Sequence, residues 1–377
     1  MPKTLIIDND TELEDLIRNA DAGAHAFAFA RNRDEALKTM SELEDIDIAI
    51  VTIDEAEIGG LDIFRQLKGK RLRVPRIALT GTRDLAAIRR AMNAGAADFL
   101  TKPVALDDLL ATLDKVYADC EVRREAWRNE AQLAAIRREM DLAGTIQKRI
   151  LPDSFPRDGA LDVFAQTTPA REMGGDFYDF FDLADGSIAV VVADVSGKGV
   201  PAAFYMAVVR TLFRATAPSA AGPAACLDEV NRLLIGHDIP GMFVTAFYGI
   251  LNTNDWTMTF ANAGHQPPIL ISGDGTARPV EGGGGVVLGF DHGVPYSQDR
   301  IALERGDALF IYTDGLTEAF DMDRNQFSEE RLMDCLMENH SMSAHALTNN
   351  VFAFVNAHTQ GAPQSDDITS FVIKRFH

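Results

Sequence analysis

Short apolar runs of strand length alternate with amphipathic segments of helical period at the start of the chain. The strand-like runs are Thr4–Ile7, Ala26–Ala30, Ile48–Ile53, Arg76–Leu79 and Asp98–Leu100. The helical segments lie near Thr11–Asn19, Arg33–Leu43, Gly60–Leu67, Asp84–Asn93 and Leu106–Ala118. Because strand and helix alternate repeatedly, the pattern predicts a doubly wound α/β domain over residues 1–118, with helices on both faces of a parallel sheet.

Residues 119–150 have the composition of a long helical linker. The segment lacks proline and is rich in Glu, Arg, Ala and Leu, which favour helix. Its apolar seam, with steps of three and four residues interrupted at Gln147, consists of Leu133, Ile136, Met140, Ala143 and Ile150. Such a seam predicts a parallel coiled coil and hence a homodimer. A single amphipathic helix packed on a neighbouring domain fits the same pattern.

Residues 151–377 combine many strand-like runs with a few helical segments. Two apolar runs flank the polar turn Ala184–Ser187, which contains an Asp-Gly pair and predicts a β-hairpin with Asp176 and Asp194 at the same end. Further strands are predicted at Met242–Leu251, Thr257–Asn262, Ala308–Tyr312 and Ile368–Ile373. Helices are predicted at Pro201–Ala215, Ala224–Leu234, Ser328–Glu338 and Ala344–Ala357. This mixture indicates an α+β domain, a β-sandwich flanked by helices.

Composition and charge narrow the classes of function. A chain of 377 residues exceeds one ordinary core, so two or three domains are expected. It contains no apolar run of about 20 residues, and it leads directly into a strand at Thr4 rather than a signal peptide. We therefore expect a cytoplasmic protein without a membrane partner. The net charge of −20 argues against nucleic acid as a partner. The three cysteines match no zinc or redox spacing, which fits a reduced cytoplasm, and they are expected to be packing residues: Cys120, Cys226 and Cys335.

Four aspartates stand at the ends of predicted strands in the second half of the chain. They are Asp176, Asp194, Asp314 and Asp366. Any one of them fits a turn or a cap, but together they can converge on one rim of a sandwich. No histidine or cysteine accompanies them at ligand spacing, and oxygen ligands select Mg²⁺ or Mn²⁺ over Zn²⁺. Two such ions activate a shared water and hold a phosphoryl group for attack. The four aspartates are therefore candidate catalytic metal ligands.

The motifs around these aspartates resemble a known enzyme family. Residues from about 140 to 375 resemble the SpoIIE-like, or RsbU-like, branch of metal-dependent Ser/Thr protein phosphatases, which have the protein phosphatase type 2C fold. The motifs that carry the resemblance are Gly174–Asp179, Ala193–Gly199, Ala263–His265, Tyr312–Gly315 and Ser365–Thr369. The resemblance implies a Ser/Thr phosphatase that uses Mn²⁺ or Mg²⁺, two ions in all.

The resemblance also implies roles for individual residues. Asp194 would bridge both metals, and the Val195 carbonyl would help to hold one of them. Asp314 and Asp366 would hold the other ion, and Asp176 would bind directly or through water. The residues expected to act as supporting or occasional ligands are Asp367 and Asp179.

Three further residues in this half have weaker signals. Lys198 and Arg171 lie beside metal motifs and are candidates for binding phosphate, although a solvated turn lysine fits Lys198 equally. His265 is expected to shape the turn before Pro267 and Pro268, and not to act as a general acid.

The first 118 residues resemble the response-regulator receiver family. The matching residues are Asp8 and Asp10 after the first strand, Thr80 after the fourth, and Lys102 after the fifth. In that family an acidic cluster holds Mg²⁺ and an aspartate after the third strand accepts a phosphoryl group, which the threonine and lysine contact.

This receiver pocket departs from the family at two positions. Thr52 occupies the acceptor position and Asn9 replaces an acidic residue, so a carboxylate nucleophile and a metal-binding charge are missing. We expect a receiver that does not run the phosphorylation cycle and serves in dimerisation or docking. The alternatives are a displaced acceptor at Asp54, and a pocket in which Thr80 and Lys102 only pack or face solvent.

The combined expectation is a phosphoserine/phosphothreonine protein phosphatase controlled through its N-terminal half. The resemblance implies that its substrate is a phosphorylated anti-sigma-factor antagonist of the STAS type in bacterial partner-switching signalling, with an upstream sensor or histidine kinase as a further partner. One alternative is a catalytically silent adaptor that binds a sigma-factor regulator. A two-metal nuclease is a second alternative, which the acidic charge disfavours.

Overall fold

The computed structural model describes residues 2–20, 25–42, 46–54, 62–63, 74–81, 85–155, 157–236, 239, 241–291 and 293–376. The chain divides into two compact units, Met1–Ala135 and Ile136–His377. Each unit has its own apolar core.

Within its described residues the first unit contains a five-stranded parallel sheet of order β2-β1-β3-β4-β5. The strands are β1 (Lys3–Ile7), β2 (Ala26–Ala30), β3 (Ile48–Thr52), β4 (Arg76–Thr80) and β5 (Asp98–Thr101). The helices are α1 (Glu12–Arg18), α2 (Arg33–Glu42), α3 (Leu85–Asn93) and α4 (Leu106–Ile150). Successive residues Leu5 and Ile6 belong to separate cores on opposite faces of the sheet. A sheet covered on both faces explains why these strands read as continuous apolar runs.

The predicted parallel α/β architecture is therefore confirmed. The helix predicted at Gly60–Leu67 lies largely outside the described residues. The last predicted helix and the predicted linker form one continuous helix, α4, of 45 residues. It contains no proline, and its first turns bury Leu109 and Leu113 on the sheet. Across the described part of the chain, no helix combines the length and apolarity needed to cross a membrane.

The second unit is built on two sheets, each six-stranded over the residues that the structure describes. The first sheet has the order β14-β11-β10-β9-β8 with β15 beside β11, and the second has the order β13-β12-β16-β17-β7-β6. The strands up to the middle of the unit are β6 (Arg157–Asp158), β7 (Leu161–Thr168), β8 (Phe177–Asp182), β9 (Ile188–Val195), β10 (Val244–Asn252) and β11 (Thr257–Ala263). The remaining strands are β12 (Ile269–Ile271), β13 (Ala277–Pro279), β14 (Gly284–Gly285), β15 (Asp299–Ala302), β16 (Ala308–Tyr312) and β17 (Ile368–Arg375).

Helices cover both sheets of this unit. They are α5 (Val200–Thr216), α6 (Pro223–Ile235), α7 (Asp314–Thr317), α8 (Glu329–Glu338) and α9 (Ala344–Thr359). One core contains Val190 from β9, Phe371 from β17 and Val209 from α5, so the two sheets face each other. A second core joins the outer face of the second sheet to α8 and α9 through Phe310 and Leu347, among others. The second unit therefore has two facing sheets covered by helices, which agrees with the predicted α+β sandwich at the level of its overall architecture.

Candidate active site

A β-hairpin brings the first two predicted site residues together. Strands β8 and β9 pair with Phe177 opposite Ala193, so Asp176 and Asp194 emerge side by side at one end. At the other end the turn passes through Gly186, whose φ of 82° is a conformation that favours glycine. The prediction that this hairpin places both aspartates at the same end is confirmed.

The second sheet supplies the other two aspartates from the ends of adjacent strands. Asp314 follows β16 and Asp366 precedes β17, and these strands pair with Tyr312 opposite Ser370. The two sheets meet at Thr313, whose hydroxyl lies 2.7 Å from Asp176 Oδ2 and donates to it. The amide of Thr369 donates to the same hydroxyl oxygen at 3.1 Å. Sequence reasoning missed the role of Thr313, although it stands inside the motif that contains Asp314.

Burial, and after it the charge of neighbouring carboxylates, raises the pKa values of three aspartates of the site. Burial raises the pKa of Asp176 well above its usual value, and Asp194 and Asp367 add to the rise. Burial, followed by the charge of Asp314, raises the pKa of Asp194 to about 7. The pKa of Asp314 is raised by burial and then by Glu318 and Asp366. Clustered, partly desolvated carboxylates of this kind are stabilised by a cation.

The candidate ligands have the oxygen donors that hard divalent ions prefer, although their side chains are not spaced closely enough to surround one ion. Among the described residues, no three His, Cys, Asp or Glu side chains are close enough together to hold a metal ion. The candidate donors are carboxylate oxygens and the Val195 carbonyl, as Mg²⁺ and Mn²⁺ prefer. Gly175 packs against that carbonyl, since a Cβ at this position would lie 2.7 Å from the Val195 oxygen. The site therefore matches the chemistry of the predicted ions.

Asp367 holds the loop that carries Asp176. Its buried carboxylate accepts hydrogen bonds from the amides of Ala170 at 2.7 Å, Gly175 at 2.6 Å and Asp176 at 3.4 Å. Gly174 packs on the same carboxylate so closely that any Cβ would overlap it. Both carboxylate oxygens of Asp367 thus bind backbone, which fits a supporting role better than that of a metal ligand.

Asp179 lies outside the cluster, in a buried ion pair. Its fully buried carboxylate is 3.0 Å from Arg210 Nε and 2.6 Å from Arg214 Nε, both on α5. This pairing fixes α5 to β8. The structure therefore places Asp179 between a strand and a helix, and gives no support to its predicted role as an occasional ligand.

The two predicted phosphate-binding residues lie beside the turn that precedes α5. Lys198 Nζ is 2.9 Å from Asp366 Oδ2 and donates to the Ser365 carbonyl. The Arg171 guanidinium lies next to Gly199, with Nη1 3.7 Å from the position of an added Cβ. Lys198 is thus paired with one of the aspartates, whereas the contact seen for Arg171 is with Gly199.

The end of α4 contacts the loop of Asp176, here called the Asp176 loop (Glu172–Asp176). Gln147 Nε2 donates to the Gly174 carbonyl at 2.6 Å, and the Gly174 amide donates to Gln147 Oε1 at 3.1 Å. Gly144 packs so closely on the Glu172 carbonyl that a Cβ would overlap it. Sequence reasoning missed this contact. The sequence feature that could have indicated this contact is the polar Gln147, which interrupts the apolar seam of the linker.

The polar residues of the receiver pocket in the first unit form two separate hydrogen-bonded groups. Lys102 Nζ lies 2.8 Å from Asp8 Oδ1 and 3.5 Å from Asp10 Oδ2, while Asn9 is exposed. Asp54 Oδ2 accepts from the Gly81 amide at 2.6 Å and from the Thr80 hydroxyl at 3.1 Å.

Thr52, at the acceptor position of this pocket, is fully buried. Its hydroxyl has no hydrogen-bond partner among the residues that the structure describes. A hydroxyl enclosed in this way is not exposed to a phosphoryl donor.

Comparisons with known proteins agree with this architecture. The SpoIIE family, described as Stage II sporulation protein E, matches residues 184–376, and the response regulator receiver domain matches residues 4–114. The phosphoserine phosphatase RsbU of Bacillus subtilis (strain 168) is 32% identical over 242 residues, which cover 64% of this chain and 71% of RsbU.

Two solved structures are similar to the second half of the chain. The SiaA-PP2C domain of Pseudomonas aeruginosa superposes with a TM-score of 0.57 at 24% identity, over 65% of this chain and 98% of that domain, and shows the fold. The RsbU and RsbW domains of Rv1364c from Mycobacterium tuberculosis give a TM-score of 0.50 at 28% identity, over 58% of this chain and 60% of that one.

Proposed function

This chain belongs to the SpoIIE family of Ser/Thr protein phosphatases, and on that premise we propose that it hydrolyses phosphoserine or phosphothreonine in a partner-switching protein with the help of two Mg²⁺ or Mn²⁺ ions. The observation that carries the proposal is that four strand-end aspartates from the two sheets are electrostatically linked, namely Asp176, Asp194, Asp314 and Asp366. Two sheets contribute two aspartates each. Their shared repulsion is the feature that a pair of cations offsets.

The protein's own residues build and orient this site. When bound, divalent ions lower the pKa of a water and neutralise the phosphoryl oxygens. The charge of Asp314, from the second sheet, helps to raise the pKa of Asp194 in the first sheet, which supports a shared role for these two proposed ligands. Thr313 fixes Asp176 by donating to it. Asp367 fixes the Asp176 loop through two of its backbone amides, and it also binds the amide of Ala170 just before the loop.

Lys198 contributes positive charge at the rim of the site. Its pairing with Asp366 holds the ammonium group close to where a phosphoryl group would enter. A phosphoryl group bound by ions at the aspartates would compete with Asp366 for this cation, so we assign Lys198 to phosphate binding.

The proposed substrate is a phosphorylated anti-sigma-factor antagonist of the STAS type. RsbU is a phosphoserine phosphatase, and the Rv1364c structure joins RsbU and RsbW domains in one chain. The receiver-like unit would serve as a docking or dimerisation module under an upstream sensor or histidine kinase. Control would reach the site through the contact of α4 with the Asp176 loop.

Release of phosphate from such an antagonist by the full chain in Mn²⁺ tests the proposal. Asp194→Ala is expected to lower kcat/KM by about 100-fold or more, because the ligand shared by both ions is lost. The matched control is Asp182→Ala, an exposed aspartate of the same hairpin, which should retain parental activity. Equal activity of Asp194→Ala and the parent would refute the metal mechanism.

One observation favours the alternative of a silent adaptor. Lys198 pairs with Asp366, one of the four proposed metal ligands, and so neutralises its charge without a metal ion. An adaptor would bind the antagonist and release no phosphate, with Mn²⁺ having no effect on binding. The same assay combined with a binding measurement separates the two functions.

A further inference from the structure

A tightly constrained turn precedes His265, whose side chain is buried in the second unit. The Asn262 side chain donates to the His265 carbonyl at 3.0 Å and accepts from the His265 amide at 2.7 Å. Gly264 has a φ of 66°, and a Cβ there would lie 2.7 Å from Val287 Cγ1. Both constraints fix the backbone, and the imidazole is only 6% exposed. The turn therefore holds this one side chain in a single direction.

The buried ring has one polar partner and one unpaired nitrogen. Nδ1 lies 2.9 Å from Thr245 Oγ1, and Nε2 has no hydrogen-bond partner among the described residues. Burial lowers the pKa of His265 to about 4, so the ring is neutral near pH 7, and the Tyr312 carbonyl opposes this shift. In a neutral imidazole one nitrogen donates and the other accepts. Nδ1 and the Thr245 hydroxyl therefore share one hydrogen bond, whose direction depends on which ring nitrogen carries the proton.

The two neighbours of the ring, Thr245 and Tyr312, lie on strands that adjoin different aspartates of the site. Thr245 on β10 is paired directly opposite Asp194 on β9. Side chains opposite each other in an antiparallel pair share a face, with Cβ atoms about 4.5 to 5.5 Å apart. Tyr312 ends β16 in the second sheet, and Asp314 follows two residues later. His265 thus lies between the strand beside Asp194 and the strand that presents Asp314.

We propose that His265 is a positioning residue for the metal centre: it holds the Thr245 hydroxyl beside Asp194 and spaces β10 from β16 so that Asp194 and Asp314 can share a cation. The assignment rests on the proposed function. A space-filling role alone does not account for the ring, because a leucine would fill the volume without a buried nitrogen that lacks a partner.

The test measures Mn²⁺ binding to the full chain by titration calorimetry, independently of activity. His265→Leu and Thr245→Val are expected to weaken Mn²⁺ binding by about tenfold or more, the usual range for groups that orient metal ligands. His265→Asn and Thr245→Ser keep a hydrogen-bonding atom and should bind Mn²⁺ within about threefold of the parent. The matched control is Thr348→Val, which removes another fully buried hydroxyl from the same unit and should leave Mn²⁺ binding unchanged.

Hydrolysis of p-nitrophenyl phosphate gives a second readout. The Mn²⁺ concentration for half-maximal rate should rise in His265→Leu and Thr245→Val, while KM for the aryl phosphate stays at the parental value. If Mn²⁺ binding is unchanged in both variants and only the Tm falls, the ring merely packs and the proposal is wrong. If the parent binds Mn²⁺ but releases no phosphate from the antagonist, the proposed substrate fails while calorimetry still decides the role of His265. A parent that binds no Mn²⁺ overturns both proposals.

Discussion

Ionisation of a single active-site carboxylate lowers the stability of the metal-free folded chain, so this stability depends on pH. Asp194 has an ordinary pKa of 3.8, which burial and then Asp314 raise to about 7. Between about pH 4 and pH 7 the folded chain keeps a proton that the unfolded chain has lost, so stability falls as pH rises through this window. A bound divalent ion offsets the repulsion once the carboxylates are ionised.

This linkage gives a prediction for the metal-free enzyme. Raising the pH from about 5 to about 8 in EDTA should lower the Tm of the parent by roughly 4 to 8 °C more than that of Asp194→Asn. At the higher pH, Mn²⁺ should restore most of this loss in the parent and little in the variant. Differential scanning calorimetry measures both effects, and equal pH dependence of the two proteins would contradict the prediction.

Asp54 is held by two donors in a way that disfavours phosphorylation. One of its oxygens accepts from Gly81 and Thr80, and Lys102 is engaged by the acidic pair Asp8 and Asp10. We expect no phosphoryl adduct on the full chain after incubation with acetyl phosphate and Mg²⁺, as measured by intact mass. An adduct that disappears in Asp54→Ala would instead establish Asp54 as a displaced acceptor.

At the scale of elements, the end of α4 is part of the active-site architecture. Two hydrogen bonds join Gln147 to Gly174, in the loop that carries Asp176. Gln147→Ala should lower kcat/KM for the antagonist by about tenfold, because two hydrogen bonds that hold the loop are lost. Gln132→Ala, an exposed glutamine of the same helix, is the control and should match the parent. Parental activity in Gln147→Ala would show that the contact does not control the site.

At the scale of the whole molecule, α4 presents an apolar seam that a single chain leaves uncovered. Leu133 is 56% exposed and Ile136 is 45% exposed. We expect these residues to pair with those of a second copy in a parallel coiled coil. The full chain should therefore sediment as a dimer, and Leu133→Lys combined with Ile136→Lys should give a monomer. Leu85→Lys, at an 80% exposed leucine of α3, is the control. A monomeric parent at micromolar concentration would rule out the dimer.

The sequence alone determined the elements and the order of the site motifs. The hairpin, the parallel sheet of the first unit and the strand-end positions of Asp176, Asp194, Asp314 and Asp366 all follow from local periodicity and turn residues. These signals are readable because each depends on neighbours in sequence: period two or 3.6 in the apolar pattern, and glycine or aspartate in the turns.

Which side chains contact one another depends on the tertiary packing, and the sequence pattern does not show it. Asp367 binds backbone amides, and Thr313 joins the two sheets. Gln147 reaches the Asp176 loop, and His265 reaches Thr245. Each of these contacts joins segments that are distant along the chain or on different strands, and it depends on the packing of sheets and helices against one another. Periodicity fixes the face on which a residue lies, but the partner across that face is set by which surfaces pack together.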